Sequence, residues 1–429
     1  MPLSVTTYGH YKKNNPVKEF NSYREERQTV LSVIEEVRTG GDEALFKLTR
    51  KFDQAELDNL VVSKEEIADA LKVIEHDLLA VIREAKDNIE RFHRRQLQET
   101  WWDEDTGWKI GQRVQALQSV GAYVPGGTAA YPSSVLMTVI PAKVAGVNKI
   151  YICTPPDKDG RVNPLTLVAA NEAGADAIFK IGGAQAVAAL AFGTETIPAV
   201  QKIVGPGNIY VTLAKKEVYG QVGIDMLAGP SEIVIIADDA ANPVFIAADL
   251  LSQAEHDPLS RSILITTSEE LALSVSGEVT KQLAALPRKE IAEKAIREKG
   301  AVILVEHLGE AWSVVNELAP EHLELHVRNA WDYLDKVKNA GAIFIGPFSP
   351  ESLGDYWAGS NHVLPTGTAA RYASALGVAD FIKHTNVLYY TEEALMKSAP
   401  KIAAIARAEG LEAHARAVLI RRQENGSTK

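Results

Sequence analysis

Histidine, carboxylate and amide side chains are concentrated in the C-terminal half of the sequence, and such groups bind metal ions and transfer protons. Seven of the ten histidines lie at or beyond residue 256. Gln253 and His256 are three residues apart in a segment predicted to be helical, so both side chains can reach one point. This spacing indicates a pair of metal ligands or, equally, the polar end of a helix.

Three further places in the sequence carry acids and imidazoles. Glu321 and His322 directly follow a proline where a strand is predicted to begin, which indicates a general-base pair or simple surface polarity. Asp355 lies in a glycine-containing turn that suits a metal ligand or a turn-forming aspartate. Glu409 and His414 again place an acid near an imidazole, although a solvated helix start explains them nearly as well. With no His-Glu-x-x-His motif or cysteine cluster, these positions only weakly indicate a mixed nitrogen and oxygen metal site.

Glycine-rich loops follow several predicted strands. They are Val124-Pro-Gly-Gly-Thr128, Gly182-Gly-Ala-Gln-Ala186, Val204-Gly-Pro-Gly-Asn208 and Ala228-Gly-Pro-Ser-Glu232. Backbone amides in such loops can approach a phosphate, and ligands of open α/β sheets bind at the carboxyl ends of strands. The loop with Gly205 and Gly207 lacks the third glycine of a dinucleotide fingerprint, because Tyr210 occupies that position. The loops therefore indicate a nucleotide site or turns that require positive φ.

Composition restricts the classes of protein that fit. A chain of 429 residues with 46% hydrophobic residues predicts two or more globular domains. A net charge of -11 argues against binding to nucleic acid or to an anionic membrane. Prolines and glycines interrupt the uncharged stretch between Arg113 and Lys143, which makes it a poor membrane span, and no signal peptide is visible. The single cysteine, Cys153, reads as a buried apolar residue in a protein of the reducing cytoplasm.

The elements that must position these residues follow from hydrophobic spacing. Ser63 and Glu66 form a capping-box pattern, and the apolar spacing after them predicts one long amphipathic helix ending near Arg95. Short β-branched runs separated by helical segments predict parallel sheets covered by helices. The predicted strands are Ile150–Cys153, Ala177–Ile181, Ile203–Val204, Ile233–Ala237, Ser262–Thr266, Ala301–Val305 and Ala342–Gly346. From about Thr391 the tail is predicted to be helical, with a polar end after Arg422.

Eight ordered motifs give the chain a resemblance to the histidinol dehydrogenase family from about residue 20 to residue 420. The motifs are Tyr123-Val-Pro-Gly-Gly, Pro132-Ser-Ser-Val-Leu-Met137, Val204-Gly-Pro-Gly-Asn208, Ala228-Gly-Pro-Ser-Glu232, Ser252-Gln-Ala-Glu-His-Asp257, Pro320-Glu-His-Leu-Glu-Leu325, Gly354-Asp-Tyr356 and Asn361-His-Val-Leu-Pro-Thr366. The chain departs from the family at Thr128-Ala-Ala-Tyr131 and at Ser360, where a proline is common. These departures affect the expected shape of loops rather than any expected ligand.

The resemblance implies an α/β fold of two incomplete Rossmann-like domains with helical N-terminal and C-terminal extensions, assembled as an intertwined homodimer. The implied segments are an arm at 1–20, a discontinuous first domain at 21–124 and 233–375, an NAD-binding domain at 125–232, and a helical tail at 376–429 that reaches the partner subunit. His414 would then enter the partner's site, which makes dimerisation a condition of activity.

The resemblance also implies cofactors and residue roles. The expected reaction is the zinc-dependent oxidation of L-histidinol to L-histidine through L-histidinaldehyde, with reduction of two NAD and one zinc ion per subunit. The implied zinc ligands, which also contact the substrate, are Gln253, His256, Asp355 and His414. Further implied substrate contacts are Ser231, His322, His362 and Glu409, and implied NAD contacts are Tyr123, Gln185 and Asn208.

Glu321 and His322 are the implied catalytic residues. His322 would accept the alcohol proton as hydride leaves, and Glu321 would activate water for the aldehyde step. Zinc would chiefly hold and orient the substrate. Three rival hypotheses are a paralogue acting on another small primary alcohol, an idle metal- or nucleotide-binding scaffold, and a zinc hydrolase. The complete set of motif residues, Glu409 included, favours histidinol.

Overall fold

The computed structural model describes residues 3–15, 22–126 and 130–422. Part of the predicted N-terminal arm, the departure at Thr128 and the polar stretch after Arg422 lie outside these residues. The strands are β1 (Ser4–Thr6), β2 (Trp101–Asp105), β3 (Trp108–Ala116), β4 (Ser119–Tyr123), β5 (Lys149–Cys153), β6 (Ala177–Phe179), β7 (Lys202–Val204), β8 (Gly223–Ile224), β9 (Glu232–Ala237), β10 (Arg261–Thr266), β11 (Ala301–Leu304), β12 (His322–His326), β13 (Ala342–Ile345) and β14 (Ile382–Tyr390). The helices are α1 (Tyr8–Asn14), α2 (Arg24–Phe52), α3 (Lys64–Val73), α4 (His76–Arg94), α5 (Pro132–Ala145), α6 (Pro164–Ala173), α7 (Gly183–Phe192), α8 (Ile209–Val218), α9 (Pro243–Ala254), α10 (Glu269–Leu283), α11 (Lys289–Lys299), α12 (Leu308–Leu318), α13 (Glu351–Tyr356), α14 (Glu392–Ala408) and α15 (Glu412–Leu419).

The chain divides into two compact units. The main unit comprises Met1–Gln96 and Leu117–Phe381, and the second unit comprises Leu97–Ala116 and Ile382–Lys429. Each unit has its own sheet structure, and the main unit contains two parallel sheets. The predicted α/β fold is therefore confirmed.

A six-stranded parallel sheet in the main unit has the order β1-β11-β10-β9-β12-β13. Every residue of β9 is buried, as expected for a strand near the centre of a sheet covered on both faces. Ser4–Thr6 pairs with Ala301–Ile303 at one edge, so the start of the chain contributes a strand. The predicted strands Ile233–Ala237, Ser262–Thr266, Ala301–Val305 and Ala342–Gly346 all lie in this sheet, within one or two residues of their observed ends.

The second parallel sheet of the main unit has five strands in the order β6-β5-β4-β7-β8. Its strands are short, and the glycine-rich loops follow their carboxyl ends. The strand β4 pairs with β5 in this sheet, with Tyr123 opposite Cys153. The boundary expected at residue 124 would instead place β4 in the first domain and β5 in the NAD-binding domain. Cys153 is buried in β5, where burial raises the pKa of its thiol, in agreement with the apolar role expected of it.

The predicted long helix after Ser63 is wrong in one respect, because the structure has two helices there. The capping box is present: Ser63 accepts from the N–H of Glu66, and Glu66 accepts from the N–H of Ser63. The backbone of Ile74 is extended and separates α3 from α4. The adjacent β-branched Val73 and Ile74 have low helix propensity, so a break here costs little while both helices keep their apolar faces on the core.

The second unit contains an antiparallel sheet in the order β14-β3-β2, and α14 and α15 pack against each other. This sheet was not predicted from the sequence. Residues 382–390 form a strand, not part of a helical tail. The predicted helix from about Thr391 is confirmed, because the Thr391 side chain caps α14.

Asp53, at the C-terminal end of α2, makes the stability of the main unit depend on pH. Its Oδ2 atom is buried without a hydrogen-bond partner, and burial raises the pKa of this carboxyl from 3.8 to about 6. Between these values the folded state binds more protons than the unfolded state, so the free energy of unfolding falls as the pH rises from about 4 to about 6. We expect the decrease in the free energy of unfolding to be about 1 kcal/mol smaller in Asp53→Asn. The difference is less than the full pKa shift would give, because Asp53 is partly exposed to solvent. Urea unfolding of both proteins at pH 4.5 and 7 measures it, and equal pH dependence would contradict the prediction.

Candidate active site

The strand β12 places three polar side chains on one face of the six-stranded sheet. Side chains alternate along a strand, so His322, Glu324 and His326 share one face. Leu323 and Leu325 point the other way into a buried apolar cluster. The polar face therefore meets the helices α9 and α13, which carry the remaining side chains of the candidate site.

Glu321 and His322 are buried together where β12 begins, and the neighbouring strand β9 holds both. Glu321 Oε2 accepts from the backbone N–H of Glu232 at 2.9 Å. His322 Nδ1 lies 3.1 Å from the backbone carbonyl of Glu232 and 3.7 Å from Glu321 Oε2. Burial raises the pKa of Glu321 to about 7, so this carboxyl can exchange a proton near neutral pH.

The other ring nitrogen of His322 faces the carboxylates of α13. His322 Nε2 lies 3.7 Å from Asp355 Oδ1 and 3.9 Å from Glu351 Oε1, and it is buried without a hydrogen-bond partner. Burial alone lowers the pKa of His322, but the charges of Glu351, Glu321 and Asp355 outweigh it and raise this pKa to about 10. An imidazolium surrounded by carboxylates is thus the favoured state of these side chains by themselves.

The end of α9 brings an amide and an imidazole to the same place. Gln253 is buried, and with its amide nitrogen toward Glu351 it donates to Oε1 at 3.0 Å. The expectation that Gln253 and His256 share a helix face is wrong, because α9 ends at Ala254 and His256 lies in the turn that follows. The backbone N–H of His256 donates to the carbonyl of Gln253 at 3.3 Å, which keeps the two residues together.

The side chains of His256, Glu351 and Asp355 fit a metal ion. One ligand atom from each lies within 4.8 Å of the other two. Burial lowers the pKa of His256 and thereby favours the neutral imidazole that binds metals. Burial would raise the pKa of Asp355, but the neighbouring imidazoles of His322 and His362 lower it and keep this carboxylate charged. One imidazole nitrogen with carboxylate oxygens is a donor set that zinc accepts.

His362 and Ser231 lie beside these groups. The ring of His362 contacts the backbone of Asp355, and its Nε2 lies 3.4 Å from the hydroxyl of Ser134. Burial lowers the pKa of His362. Ser231 directly precedes Glu232, which contacts both Glu321 and His322. These residues of the predicted site therefore come together in the main unit although they are distant in the sequence.

Glu351 was not predicted from the sequence as a site residue. This side chain is buried, approaches His322 and can accept from the amide of Gln253. The available signal was its spacing of four residues from Asp355, which puts both carboxylates on one face of a helix. The expectation that Asp355 lies in a turn concealed this signal, and it is wrong because Asp355 belongs to α13.

Glu409 and His414 lie in the second unit. Glu409 is the residue after the last turn of α14, and His414 lies near the start of α15. Both side chains are exposed. Their assignment to the substrate and to zinc stays a prediction.

The three residues expected to contact NAD meet at the carboxyl edge of the five-stranded sheet. Tyr123 ends β4, and its hydroxyl accepts from the N–H of Gly183 at 3.1 Å. Gln185 is buried in the first turn of α7, next to Gly183. Asn208 caps α8 by accepting from two backbone N–H groups. Gly205 has φ of +108°, and a Cβ there would lie 2.2 Å from the carbonyl oxygen of Tyr123, so only glycine fits this loop.

The two candidate sites lie at different ends of their strands. The glycine-rich loops follow the carboxyl ends of β4, β6 and β7, where ligands of open α/β sheets usually bind. The acid and imidazole cluster lies near the amino ends of β9 and β12, next to α9 and α13. Strand ends alone therefore could not locate this second cluster.

A helix-covered pair of parallel sheets with a buried acid and imidazole cluster defines an α/β enzyme with an acid–base site. Comparison with known proteins identifies the family. The family model of histidinol dehydrogenase matches residues 17–422, and the chain belongs to that family. The resemblance drawn from the motifs is confirmed, and the chain is an NAD-dependent oxidoreductase of histidine biosynthesis.

Individual relatives agree along nearly the whole chain. The histidinol dehydrogenase of Bacillus subtilis is 56% identical over 395 residues, which cover 92% of each chain. That of Clostridium acetobutylicum is 55% identical over 395 residues, again with 92% of each chain covered. The crystal structure of histidinol dehydrogenase from Elizabethkingia anophelis has a TM-score of 0.93 at 40% identity, with 99% of each chain covered.

Among the residues that the structure describes, no helix is both long enough and apolar enough to cross a membrane.

Proposed function

We propose that this chain oxidises L-histidinol to L-histidine in two steps through L-histidinaldehyde, with one zinc ion per subunit and two molecules of NAD. The observation that carries the proposal is the arrangement around His322. Its Nε2 atom is buried without a partner among the described residues, beside a cluster suited to a metal, and Glu321 lies at its other side. An imidazole nitrogen that has no other partner and lies next to a cation site can serve, once the cation is bound, as the base in the oxidation of a metal-held alcohol.

Gln253, His256 and Asp355 would hold zinc in the main unit, with His414 as the fourth protein ligand. When bound, zinc would orient the substrate and offset the charge of Asp355 and its neighbours, which lowers the pKa of His322 toward the range of a neutral base. The buried Gln253 adds a ligand without adding charge.

The chain's own residues divide the two oxidations between them. In the first step His322 Nε2 would accept the hydroxyl proton, and NAD, when bound, would take hydride from the substrate carbon to leave the aldehyde. In the second step Glu321 would accept a proton from water, and the resulting hydroxide oxygen would bond to the aldehyde carbon to give the hydrate anion. A second NAD would take hydride from this anion to leave the carboxylic acid, which would release its proton to give the carboxylate of L-histidine. A pKa of about 7 suits Glu321 to this role, because the group can accept and release a proton near neutral pH.

The remaining assignments concern recognition. Ser231, His362 and Glu409 would contact L-histidinol, and Tyr123 and Gln185 would contact NAD. Asn208 would contact NAD from the adjacent loop. The contact of His362 with Asp355 supports its assignment to the substrate. Gly183 contacts Tyr123 and lies next to Gln185, which supports the assignment of both side chains to NAD.

The stoichiometry of NADH tests the proposed function. The purified protein is loaded with zinc, stripped with a chelator and reloaded, and NADH is measured by absorbance against L-histidinol consumed. We expect two NADH per L-histidinol, loss on stripping and recovery with zinc. One NADH per substrate, or full activity without metal, would contradict the proposal. No NADH from L-histidinol with zinc present would favour a paralogue acting on another primary alcohol.

Replacement of His256 tests the metal site itself. We expect His256→Ala to weaken zinc binding more than about 100-fold, because a direct ligand is lost where even an outer-shell change costs 10- to 100-fold. Competition with a colorimetric chelator measures the affinity. The exposed His76 gives a matched control, and His76→Ala should bind zinc as the wild type does. Wild-type affinity in His256→Ala would remove His256 from the ligand set.

We also propose that the chain forms a homodimer in which the tail of one subunit completes the site of the other. The second unit supports this, because large apolar side chains on its sheet and helices are exposed, as expected for a surface that associates. These side chains are Trp101, Trp102, Leu388, Tyr389, Tyr390, Ile402 and Ile405.

The single free Cys153 supports a reducing compartment, and we propose that this compartment is the cytoplasm.

Mixing two inactive variants tests the shared site. His256→Ala and His414→Ala are unfolded together in denaturant, refolded and assayed with L-histidinol. If His414 serves the partner, each mixed dimer has one intact site, so equal mixing restores about one quarter of the wild-type activity. Each variant refolded alone is the control. Mixtures no more active than the separate variants would show that the site does not combine the two chains.

A further inference from the structure

A second buried polar cluster lies directly behind the candidate zinc site, on the same face of the six-stranded sheet. It consists of Glu324 and His326 of β12 and Asp249 of α9. Glu324 Oε2 lies 3.2 Å from His326 Nε2, and Asp249 Oδ2 lies 3.9 Å from the same nitrogen. The carboxyl of Asp249 is also hydrogen-bonded to Glu324. None of these three side chains has a part in the proposed chemistry.

The cluster is connected to the site through the backbone of α13. Glu324 Oε1 accepts from the N–H of Glu351, the first residue of that helix, at 2.8 Å. The residue before the helix is Pro350, which has no side-chain cap, so a carboxylate from β12 takes the place of one. Glu324 is fully buried and cannot exchange this bond for one to water without opening the site.

The same three side chains join the elements that carry the proposed zinc ligands and the base. Asp249 lies one helical turn before Gln253 on α9, and Glu324 lies two residues after His322 on β12. Burial and the neighbouring Glu324 raise the pKa of Asp249 to about 8, so its carboxyl is protonated at neutral pH and its O–H can donate a hydrogen bond to Glu324. Glu324 then remains an acceptor for the N–H of Glu351.

We propose that Asp249, Glu324 and His326 are positioning residues that hold α13 against β12 and α9, and so set the distance of Glu351 and Asp355 from the zinc and substrate site. The inference rests on the proposed zinc site. Asp355, a proposed zinc ligand, lies on a helix of only six residues, which has few hydrogen bonds of its own. The position of its carboxylate therefore depends on the hydrogen bond at the start of that helix. A second metal ion in this cluster is the rival hypothesis. The orphaned atom of His326 is Nδ1, whereas the nitrogen near the carboxylates is Nε2, which already contacts Glu324.

Substitution of Glu324 tests the proposal. We expect Glu324→Ala to weaken zinc binding about 10- to 100-fold and to raise the KM for L-histidinol. Glu324→Gln keeps an oxygen for the N–H of Glu351 and should restore both values to within a few-fold of the wild type. Zinc affinity is measured by chelator competition and KM from NADH formation. Ser262→Ala is the matched control, since it removes a buried hydrogen bond to α9 through Leu250 without a contact to α13.

Each outcome decides the proposal. Wild-type zinc affinity and KM in Glu324→Ala, or equal losses in Glu324→Ala and Glu324→Gln, would overturn it. If Glu324→Ala does not fold, Asp249→Asn and Asp249→Leu take its place. Asp249→Asn can still donate a hydrogen bond to Glu324 and should keep zinc affinity and KM near the wild-type values, whereas Asp249→Leu should lose both. Two zinc ions per wild-type chain, one of them lost in His326→Ala, would replace the positioning role with a second metal. If the wild type proves active without zinc, the zinc proposal fails separately, and the KM contrast still decides this one.

Discussion

Replacement of His322 by asparagine is expected to lower kcat for L-histidinol by about 100- to 10,000-fold, the usual contribution of a positioned general base. Asparagine can still hydrogen-bond the backbone carbonyl of Glu232, which His322 Nδ1 contacts at 3.1 Å, so the start of β12 should keep its structure. It has no group that accepts a proton at the position of Nε2. The first hydride transfer from the alcohol should therefore become the slow step.

Single-turnover NADH formation with excess enzyme measures that step directly. Zinc affinity should stay near the wild-type value, since His322 is proposed as a base and not as a ligand. The exposed His384, which contacts Gln98 in the second unit, provides a matched His384→Asn control with wild-type rates expected. A normal first hydride transfer in His322→Asn would show that another group accepts the proton.

Replacement of Glu321 by glutamine is expected to separate the two oxidations. Glutamine can keep the hydrogen bond from the N–H of Glu232, at 2.9 Å in the wild type, but it cannot accept a proton from water. Oxidation of L-histidinaldehyde should fall by about 100- to 10,000-fold, while oxidation of the alcohol changes only a few-fold. The variant should then release one NADH per L-histidinol in the time in which the wild type releases two.

Separate assays with L-histidinol and with L-histidinaldehyde measure the two rates. Glu172→Gln makes the same chemical change in an ion pair with the exposed Arg83, and it should leave both rates unchanged. Equal losses of both half-reactions in Glu321→Gln would contradict the proposed division between Glu321 and His322.

Local rules predicted the elements in which the deciding interactions are local. The capping box at Ser63 is made by residues three apart, and it is present as predicted. The short β-branched run of β9 favours a buried strand, and all six of its residues are buried. The break at Ile74 was not predicted, because the helical spacing of apolar residues continues on both sides of it. Only the packing of these residues on the core shows that two helices are present instead of one.

The strands β2, β3 and β14 were missed for a related reason. They carry exposed aromatic and charged residues, as Trp101, Arg113 and Tyr389 illustrate, so the alternation that marks a half-buried strand is weak. The antiparallel pairing of Ile382–Tyr390 with Trp108–Ala116 joins segments that are far apart in the sequence. No local pattern could reveal that pairing.

The sequence by itself determined the family, the α/β class and most of the chemical groups of the candidate site, because the types of residues and their order within motifs are properties of the chain. Tertiary structure decided which groups meet. Glu351 approaches His322 only because β13 pairs with β12 and α13 then turns back over that strand. The pKa of His322 likewise depends on carboxylates from separate elements, since burial and charge act through space and not along the sequence.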